Sequence, residues 1–299
     1  MGAAMGGALC TFITVQICKQ VFKVTNEHVD DTPAYDDSAP NAGGSGQVYV
    51  VICALDYKQT SNPLTCSIDG RNMETLVRSC GVPQENVTAM YDEQCTKENV
   101  AAVVQQVGGQ CGAGDYFIFY YSGHGTNVQD ISGDEDDGED EAFCFVTADG
   151  QINLDSCLTD DDFAELMTSS LDAEVKTLII TDCCHSGTIA DFNTGDWGDR
   201  QAISMTGCLD DQTSGDIGKG GIFTHSMLLA IGEMKQEDPD GDYSVAKLYN
   251  KTVDKDDEVF HSKQDITMQC SPGFRPNSMA WPLVPDDGWQ PPLGHRSMS

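Results

Sequence analysis

Basic side chains are scarce in this chain of 299 residues, where 16 Lys and Arg stand against 48 Asp and Glu and the formal net charge is −32. Nucleic acids and anionic membrane surfaces repel such a protein, so we expect neither as a partner. Calcium ions and basic peptide segments remain as cationic partners. A solvated acidic surface is the simpler explanation of the charge when it is considered alone.

Long hydrophobic runs and zinc-type cysteine pairs are also missing. The apolar stretch at residues 8–17 is about ten residues long, which is too short to span a bilayer, so we expect no stable membrane insertion. No Cys-x-x-Cys pair occurs among the 13 cysteines, whose number is odd and whose spacing is irregular. No cleavable signal peptide is evident, and we expect a reduced, cytoplasmic setting. The spacing selects no partners for a regulatory disulfide.

Two short segments carry reactive side chains directly after apolar runs. Residues 121–125 read Tyr-Ser-Gly-His-Gly, and residues 181–187 read Thr-Asp-Cys-Cys-His-Ser-Gly. The preceding runs, 116–121 and 175–181, are aromatic or β-branched and predict buried parallel strands. Because the carboxyl ends of parallel strands meet at one crevice, His124 and Cys184 are expected to be neighbours. A cysteine beside an imidazole is the arrangement of a thiol nucleophile and its base.

Each segment alone has a simpler explanation. A cysteine after an apolar strand is usually a buried small hydrophobe, and a histidine in a glycine loop is usually a turn residue. The two segments together, with Cys66 and Asp69 as a third element, favour catalysis.

The same segments resemble those of the metacaspases, calcium-dependent relatives of caspases that cut after Arg or Lys. The resemblance runs from about residue 48 to about residue 282. It implies an α/β caspase-like sandwich with a central, mostly parallel β-sheet flanked by helices. It also implies Cys184 as nucleophile, His124 as base, and the backbone N–H groups of Gly125 and Cys184 as oxyanion donors. A zymogen acting in programmed cell death is the usual setting of the family.

A pocket for Arg or Lys has to present carboxylates, because a desolvated guanidinium needs charge-assisted acceptors. Asp69 and Asp182 are the candidates, and the resemblance adds Cys66 and Ser122 to the same substrate-binding pocket. Capping of a helix or a loop is the alternative role for each aspartate.

Calcium takes six to eight oxygen ligands, so a site requires several carboxylates from different loops. The resemblance points to Asp140, Asp160, Asp161 and Asp191 as ligands. Asp191 follows the nucleophile by seven residues, so an ion there would order the active-site loop and act in activation. Capping of the helix that begins near residue 160 is the alternative role for Asp160 and Asp161.

Two further acidic stretches compete for the ion. Residues 238–249 begin like an EF-hand loop, but Tyr243 replaces its glycine and Tyr249 replaces its bidentate glutamate. Residues 130–141 read as an acidic, solvated loop.

The pattern along the chain predicts an N-terminal arm and linker at residues 1–46. A large-subunit-like region at 47–200 and a small-subunit-like region at 201–299 then form one fold unit. Apolar spacing predicts helices over 66–80, 96–107 and 221–234 and from about residue 160, and strands over 48–55 and 202–206. The order resembles that of type I metacaspases without a long prodomain, which implies a monomer. Arg200 and Lys219 are exposed-looking candidates for self-cleavage, and the resemblance alone suggests Tyr35 as a plug of the active site.

Two other classes of function stay open at this point. One is a calcium-binding interaction protein whose dyad is silent or blocked by the N-terminal arm. The other is a redox sensor that uses Cys183 or another thiol.

Overall fold

Buried apolar strands alternate with amphipathic helices along most of the chain. We analysed a computed structural model that describes residues 35, 46–129, 139–184, 187–193, 195–208, 218–239, 243–262 and 264–292. These ranges contain nine strands: β1 Val48–Ala54, β2 Val87–Tyr91, β3 Tyr116–Ser122, β4 Gly125–Gln129, β5 Glu139–Cys144, β6 Cys157–Thr159, β7 Lys176–Asp182, β8 Ala202–Thr206 and β9 Thr267–Cys270. They also contain five α-helices: α1 Ser67–Ser79, α2 Lys97–Gly108, α3 Asp160–Ser170, α4 Ile222–Glu237 and α5 Val245–Lys255.

The main sheet has the strand order β2-β1-β3-β7-β8-β9. Its first five strands are parallel, and β9 at the edge runs antiparallel to β8. The central, mostly parallel sheet predicted from the sequence is thereby confirmed. Strands β8 and β9, from the second half of the chain, pair in the same sheet as β1, β3 and β7.

Helices cover both faces of this sheet. Alternate residues of β1 point to opposite faces, so Val51 packs in a core with α2 and α3, whereas Ile52 packs in a second core with α1, α4 and α5. Helix α2 begins at a capping residue, since the Thr96 side chain accepts a hydrogen bond from the backbone N–H of Asn99. The result is the three-layer α/β sandwich expected from the sequence.

A second, antiparallel sheet of β4, β5 and β6 lies beside the catalytic segments and was not predicted. The prediction of an acidic loop over residues 130–141 is wrong for its last residues, because Asp140 and Glu141 belong to β5. The apolar residues that follow them, Ala142 to Cys144, pair with β6, and this pairing outweighs the low strand propensity of the two acids.

Tyr35 lies on α5 and on the edge strand β9. Its backbone N–H donates to Asn250 Oδ1 at 3.1 Å, its hydroxyl donates to the Met268 carbonyl at 2.9 Å, and its ring stacks edge-on against Tyr249. Within the described residues it contacts neither His124 nor Cys184, which differs from the predicted plug. The side-chain amide of Asn250 also donates to the Tyr35 carbonyl at 2.8 Å, and these hydrogen bonds hold Tyr35 against α5.

The helices described above include none that is long and apolar enough to cross a membrane.

Candidate active site

The loops that follow β3 and β7 are in contact. The two strands end level with each other, because Ser122 is paired with Asp182 in the parallel register. The N–H of Gly123 then donates to the Asp182 carbonyl at 3.2 Å. A Cβ atom at Gly125 would lie 1.9 Å from the carbonyl oxygen of Cys184, so only glycine fits at this point. The segments that carry His124 and Cys184 therefore meet, as the sequence predicts.

The two adjacent cysteines have different environments. Cys183 is only 1% exposed, and its carbonyl accepts a hydrogen bond from the thiol of Cys208 at 3.0 Å. Cys184 is partly exposed. Because a nucleophile has to reach its substrate, the arrangement favours Cys184 as the reactive thiol.

A backbone carbonyl orients the imidazole of His124. His124 Nε2 lies 2.8 Å from the carbonyl oxygen of Asn62, which can only accept a hydrogen bond. This contact assigns the proton to Nε2 and leaves Nδ1 as the basic nitrogen. The geometry thus supplies a third group behind the base, which in known nucleophile–base pairs holds the ring in its working orientation.

The hydroxyl of Tyr57 completes the pairing of His124 with the second sheet. Cys144 N–H donates to the His124 carbonyl at 3.0 Å, as in an antiparallel ladder. The reciprocal bond is replaced by a bridge, in which His124 N–H donates to the Tyr57 hydroxyl at 2.9 Å and this hydroxyl donates to the Cys144 carbonyl at 2.7 Å. Tyr57 has a backbone φ of +53°, a left-handed conformation that is costly for a tyrosine. Its buried ring packs 4.5 Å from the imidazole, between ring centroids.

The register of β4 and β5 determines where the N–H of Gly125 points. Directly opposed residues in an antiparallel pair alternate between hydrogen-bonded and non-hydrogen-bonded positions. His124 and Cys144 occupy the hydrogen-bonded position, so the next pair, Gly125 and Phe143, is non-hydrogen-bonded. The N–H of Gly125 therefore points away from β5, which suits an oxyanion donor.

The carboxylates of Asp69 and Asp182 are buried side by side at the ends of α1 and β7. Asp69 is 0% exposed and accepts hydrogen bonds at Oδ2 from Ser122 Oγ at 3.0 Å and from the Gly221 N–H at 2.8 Å. Asp182 Oδ2 accepts from the Thr224 N–H at 2.8 Å. Two carboxylates held by N–H and O–H donors form an acidic cluster that favours a positive charge nearby.

The phenol of Tyr120 reports on the same cluster. Burial raises the pKa of Tyr120 well above its usual range, and the nearby charges of Asp69 and Asp182 raise it further. Cys66, which is buried, adds a smaller effect in the same direction. The structure therefore brings together the four residues that the sequence assigns to substrate binding: Cys66, Asp69, Ser122 and Asp182.

The segment before α4 lies against these carboxylates. A Cβ atom at Gly220 would be 2.0 Å from Asp69 Oδ1, and one at Gly221 would be 2.1 Å from Asp182 Oδ2. Lys219 directly precedes them and is exposed, as the sequence predicts. A basic residue in an accessible segment therefore adjoins the acidic cluster.

Arg200 differs from the exposed site that its loop suggests. Its guanidinium donates to the carbonyls of Leu171 at 2.9 Å and Thr168 at 2.8 Å, and so binds the last carbonyls of α3. Its own carbonyl accepts a hydrogen bond from the Ser271 hydroxyl at 2.5 Å.

A third buried carboxylate, Asp256, lies behind Asp182 and was not predicted from the sequence. Burial raises the pKa of Asp256 to about 6, and the charges of Asp257 and Asp182 act in the same direction. Ser262 Oγ donates to Asp256 Oδ2 at 2.5 Å and opposes this shift. Little in the sequence distinguishes Asp256 from its neighbours, since it lies in an acidic run at the end of α5.

A second group of acidic side chains lies beside the loop that follows Cys184. Burial raises the pKa of Asp160 to about 9, and the adjacent Glu141 and Asp140 raise it further. Thr188 Oγ1 donates to Glu141 Oε2 at 2.6 Å, and the N–H of Asp191 donates to the Thr188 carbonyl at 2.7 Å. Glu141, which the sequence did not single out, thereby connects the acidic group with the loop of Asp191.

The side chains of this acidic group offer the kind of ligand atom that a hard cation such as calcium prefers. These atoms are carboxylate oxygens, and a cation would relieve the repulsion that raises the pKa of Asp160. Asp161 belongs to the same helix start, where its N–H donates to Asp160 Oδ1 at 3.0 Å. Among the described residues, no group of three or more His, Cys, Asp and Glu side chains is already arranged to hold a metal ion. Bound calcium would therefore require these side chains to adjust.

Comparison with known proteins agrees with this geometry. Residues 49–193 match the family model described as "Metacaspase, peptidase C14 domain". These residues form a metacaspase-type peptidase domain. The chain is 30% identical to Metacaspase-2 of Arabidopsis thaliana over 62% of this chain and 51% of that protein. It is 29% identical to Metacaspase-2 of Trypanosoma brucei brucei over 63% of this chain and 62% of that protein.

The matched region thus spans about half to three fifths of the length of these metacaspases. A crystal structure of a Geobacter sulfurreducens protein shares the fold, with a TM-score of 0.57 and 22% identity over 79% of this chain and 97% of that one. The caspase-like fold implied by the sequence is therefore confirmed.

The bridge made by Tyr57 generates a prediction about stability. Tyr57→Phe leaves the His124 N–H and the Cys144 carbonyl without this partner, and we expect unfolding to become easier by about 2–4 kcal/mol. Tyr116→Phe is the matched control, because it removes one hydroxyl whose single hydrogen bond within the described ranges goes to the Ala280 carbonyl, and it should cost about 1 kcal/mol. Urea denaturation measures both, and equal losses would contradict the bridging role.

The raised pKa of Asp256 generates a prediction about pH. The unfolded chain releases this proton near pH 4 and the folded chain near pH 6, so the folded state binds more protons in this window. The stability of the wild type relative to Asp256→Asn should therefore fall between pH 4 and pH 6 and level off above. Urea titrations at several pH values measure it, and a difference that rises with pH would contradict the assignment.

Proposed function

We propose that this protein is a calcium-activated cysteine endopeptidase that cleaves after Arg or Lys. The observation that carries the proposal is the contact of Gly125 with the Cys184 carbonyl, which joins the His124 and Cys184 loops beside buried carboxylates. A nucleophile, a base and an acidic pocket then lie on one edge of the sheet.

In the proposed reaction, the thiolate of Cys184 attacks the scissile carbonyl carbon, and His124 Nδ1 handles the proton. The Asn62 carbonyl holds the imidazole in the required tautomer. The N–H groups of Gly125 and Cys184 receive the developing oxyanion. His124 then protonates the leaving amine, and water hydrolyses the acyl-enzyme to release the carboxylic acid product.

The specificity for basic residues rests on Asp69 and Asp182. Their shared burial beside the nucleophile makes two negative charges available to one guanidinium or ammonium group. Asp256 adds negative charge behind them. An acidic substrate residue would be repelled by the same cluster.

Calcium would be held by Asp140, Asp160, Asp161 and Asp191, with Glu141 beside them. When bound, it would neutralise the carboxylates and so stabilise the post-nucleophile loop that Thr188 links to Glu141. The role is activation, because Glu141 is joined to the loop that follows Cys184 by the hydrogen bond from Thr188. Thr188 and Asp191 are the parts of the chain that would transmit the effect.

Self-processing would occur at Lys219 rather than at Arg200. Lys219 is exposed and adjoins the acidic pocket, whereas the guanidinium of Arg200 is bound to α3 carbonyls. Action on peptides or proteins with Arg or Lys at the cleavage site follows from the same pocket. The zymogen state, a role in programmed cell death, a monomeric state and a cytoplasmic setting stay predictions.

Hydrolysis of matched fluorogenic peptides that end in Arg or Asp tests the proposed peptidase. We expect calcium-dependent cleavage of the Arg peptide, at least about 10²-fold faster than the Asp peptide, since the wrong charge meets a buried acidic pocket. Cys184→Ala should abolish it while Cys183→Ala retains it. Calcium binding without turnover would instead indicate an interaction protein with a silent dyad.

Two variants of neighbouring aspartates at the start of α3 test the activating role of calcium. Asp160→Asn should remove most of the calcium stimulation, because it replaces a carboxylate that would bind the ion in the buried acidic group. Asp162→Asn should retain it, since Asp162 is half exposed and pairs with Lys97 at 2.8 Å. Peptide cleavage and calorimetric calcium titration of both variants measure the difference. Equal stimulation in the two variants would place the ion elsewhere.

A further inference from the structure

Two cysteines of the second sheet face each other directly. Cys144 in β5 and Cys157 in β6 are opposed in the antiparallel register. Both are buried free thiols, Cys144 at 1% and Cys157 at 3% exposure. The mechanism above uses neither thiol.

The type of pairing brings their side chains close. The N–H of Cys144 donates to the His124 carbonyl, and its carbonyl accepts from the Tyr57 hydroxyl, so both groups point away from β6. Cys144 and Cys157 are therefore a non-hydrogen-bonded pair. Such pairs have Cα atoms about 4.5 Å apart with their side chains at the closer spacing. This separation lies within the roughly 4.4–6.8 Å range of disulfides.

The two thiols are also chemically unequal. A hydrogen bond from the Cys144 thiol lowers the pKa of Cys157, and the positive charge of Lys97 lowers it further. The same interaction and burial raise the pKa of Cys144 well above its usual range. The Cys157 thiol also donates a hydrogen bond to the Asn153 carbonyl at 3.4 Å, which favours the protonated thiol and opposes this lowering. Cys157 is thus the better nucleophile, and Cys144 is the thiol that then attacks the oxidised Cys157 to form the disulfide.

We propose that Cys144 and Cys157 form a reversible disulfide when a peroxide oxidises the protein. The Cys157 thiolate attacks one peroxide oxygen, the O–O bond breaks, and the second oxygen leaves as hydroxide, which takes up a proton to become water. The resulting sulfenic acid is attacked by the Cys144 sulfur, which forms the S–S bond and releases a second water. Two thiols lose two electrons and two protons in total, and one peroxide is reduced to two waters.

The disulfide would act on the catalytic histidine through one strand. Cys144 holds the His124 carbonyl by its N–H and binds Tyr57 by its carbonyl, so a shift of β5 moves the base. This consequence rests on the proposed peptidase function, whereas the formation of the disulfide does not. Oxidation would then reduce turnover, and a thiol reductant would restore it.

Peptide mapping of the full chain tests the disulfide without any activity. The protein is treated with hydrogen peroxide, its remaining thiols are alkylated, and its peptides are analysed by mass spectrometry. We expect a Cys144–Cys157 linked species two hydrogens lighter than the sum of its reduced peptides, which disappears on reduction. It should be absent in Cys157→Ser and present in the control Cys270→Ser, where burial has raised the thiol pKa to about 12.

Several results would overturn the inference. Alkylation of both Cys144 and Cys157 after peroxide treatment would do so. So would linkage of either to another cysteine, or preferential linkage of Cys53 to Cys95, a second buried pair of contacting thiols among the described residues. The wild-type mapping does not depend on how well any variant folds.

Activity measurements then test the consequence. Peroxide also oxidises Cys184, so each protein is compared with its own untreated sample. We expect wild-type turnover to fall at least about tenfold more than that of Cys157→Ser, because small displacements of a base are costly, and to recover with dithiothreitol. Equal losses with a mapped disulfide would overturn the coupling to His124. A mapped disulfide without turnover in any sample would contradict the peptidase and leave the disulfide established.

Discussion

The parallel register between β3 and β7 positions every group assigned to catalysis. It pairs Ser122 with Asp182, so that the loops carrying His124 and Cys184 begin side by side. Gly125 can then touch the Cys184 carbonyl, which any side chain at that position would prevent. A shift of one residue would turn the buried aromatic and β-branched side chains of these strands to the wrong face, so the two cores fix the register and thereby the dyad.

Acidic side chains are concentrated at two buried places near this point, and the two places differ in the groups that surround the carboxylates. Asp69 and Asp182 accept hydrogen bonds from Ser122, Gly221 and Thr224, which suit ionised carboxylates facing a basic ligand. Asp160 instead lies against other acids, and burial raises its pKa, with the neighbouring Glu141 and Asp140 raising it further. In the proposed function, the first place receives a cationic side chain. The second gains most from a bound cation, which makes a structural connection between an ion and the catalytic loop physically reasonable.

Much of the fold was predictable because its signals are local. The apolar runs of β1, β3 and β7 and the caps of α2 and α3 are visible in short windows. Strands β2 and β9 and the sheet of β4–β6 were missed, since they are short or polar and owe their state to pairing with distant residues.

The candidate site divides in the same way. His124, Cys184 and the pocket aspartates carry motifs in their side chains. Asn62 contributes a backbone carbonyl, which does not depend on residue type and so leaves no sequence signal. Tyr57 lies 67 residues from His124 in the chain and binds its N–H through a hydroxyl. Asp256 lies in an acidic run, where one buried carboxylate cannot be told from its exposed neighbours by sequence. Contacts of this kind need the assembled fold.

Covalent labelling tests the central claim most directly. A peptidyl chloromethyl ketone with arginine at its reactive end alkylates an activated thiol that lies within reach of a pocket for basic side chains. We expect one adduct, on Cys184, formed faster than with the matched aspartate reagent. An adduct on Cys183 instead, or equal labelling by the arginine and aspartate reagents, would contradict it.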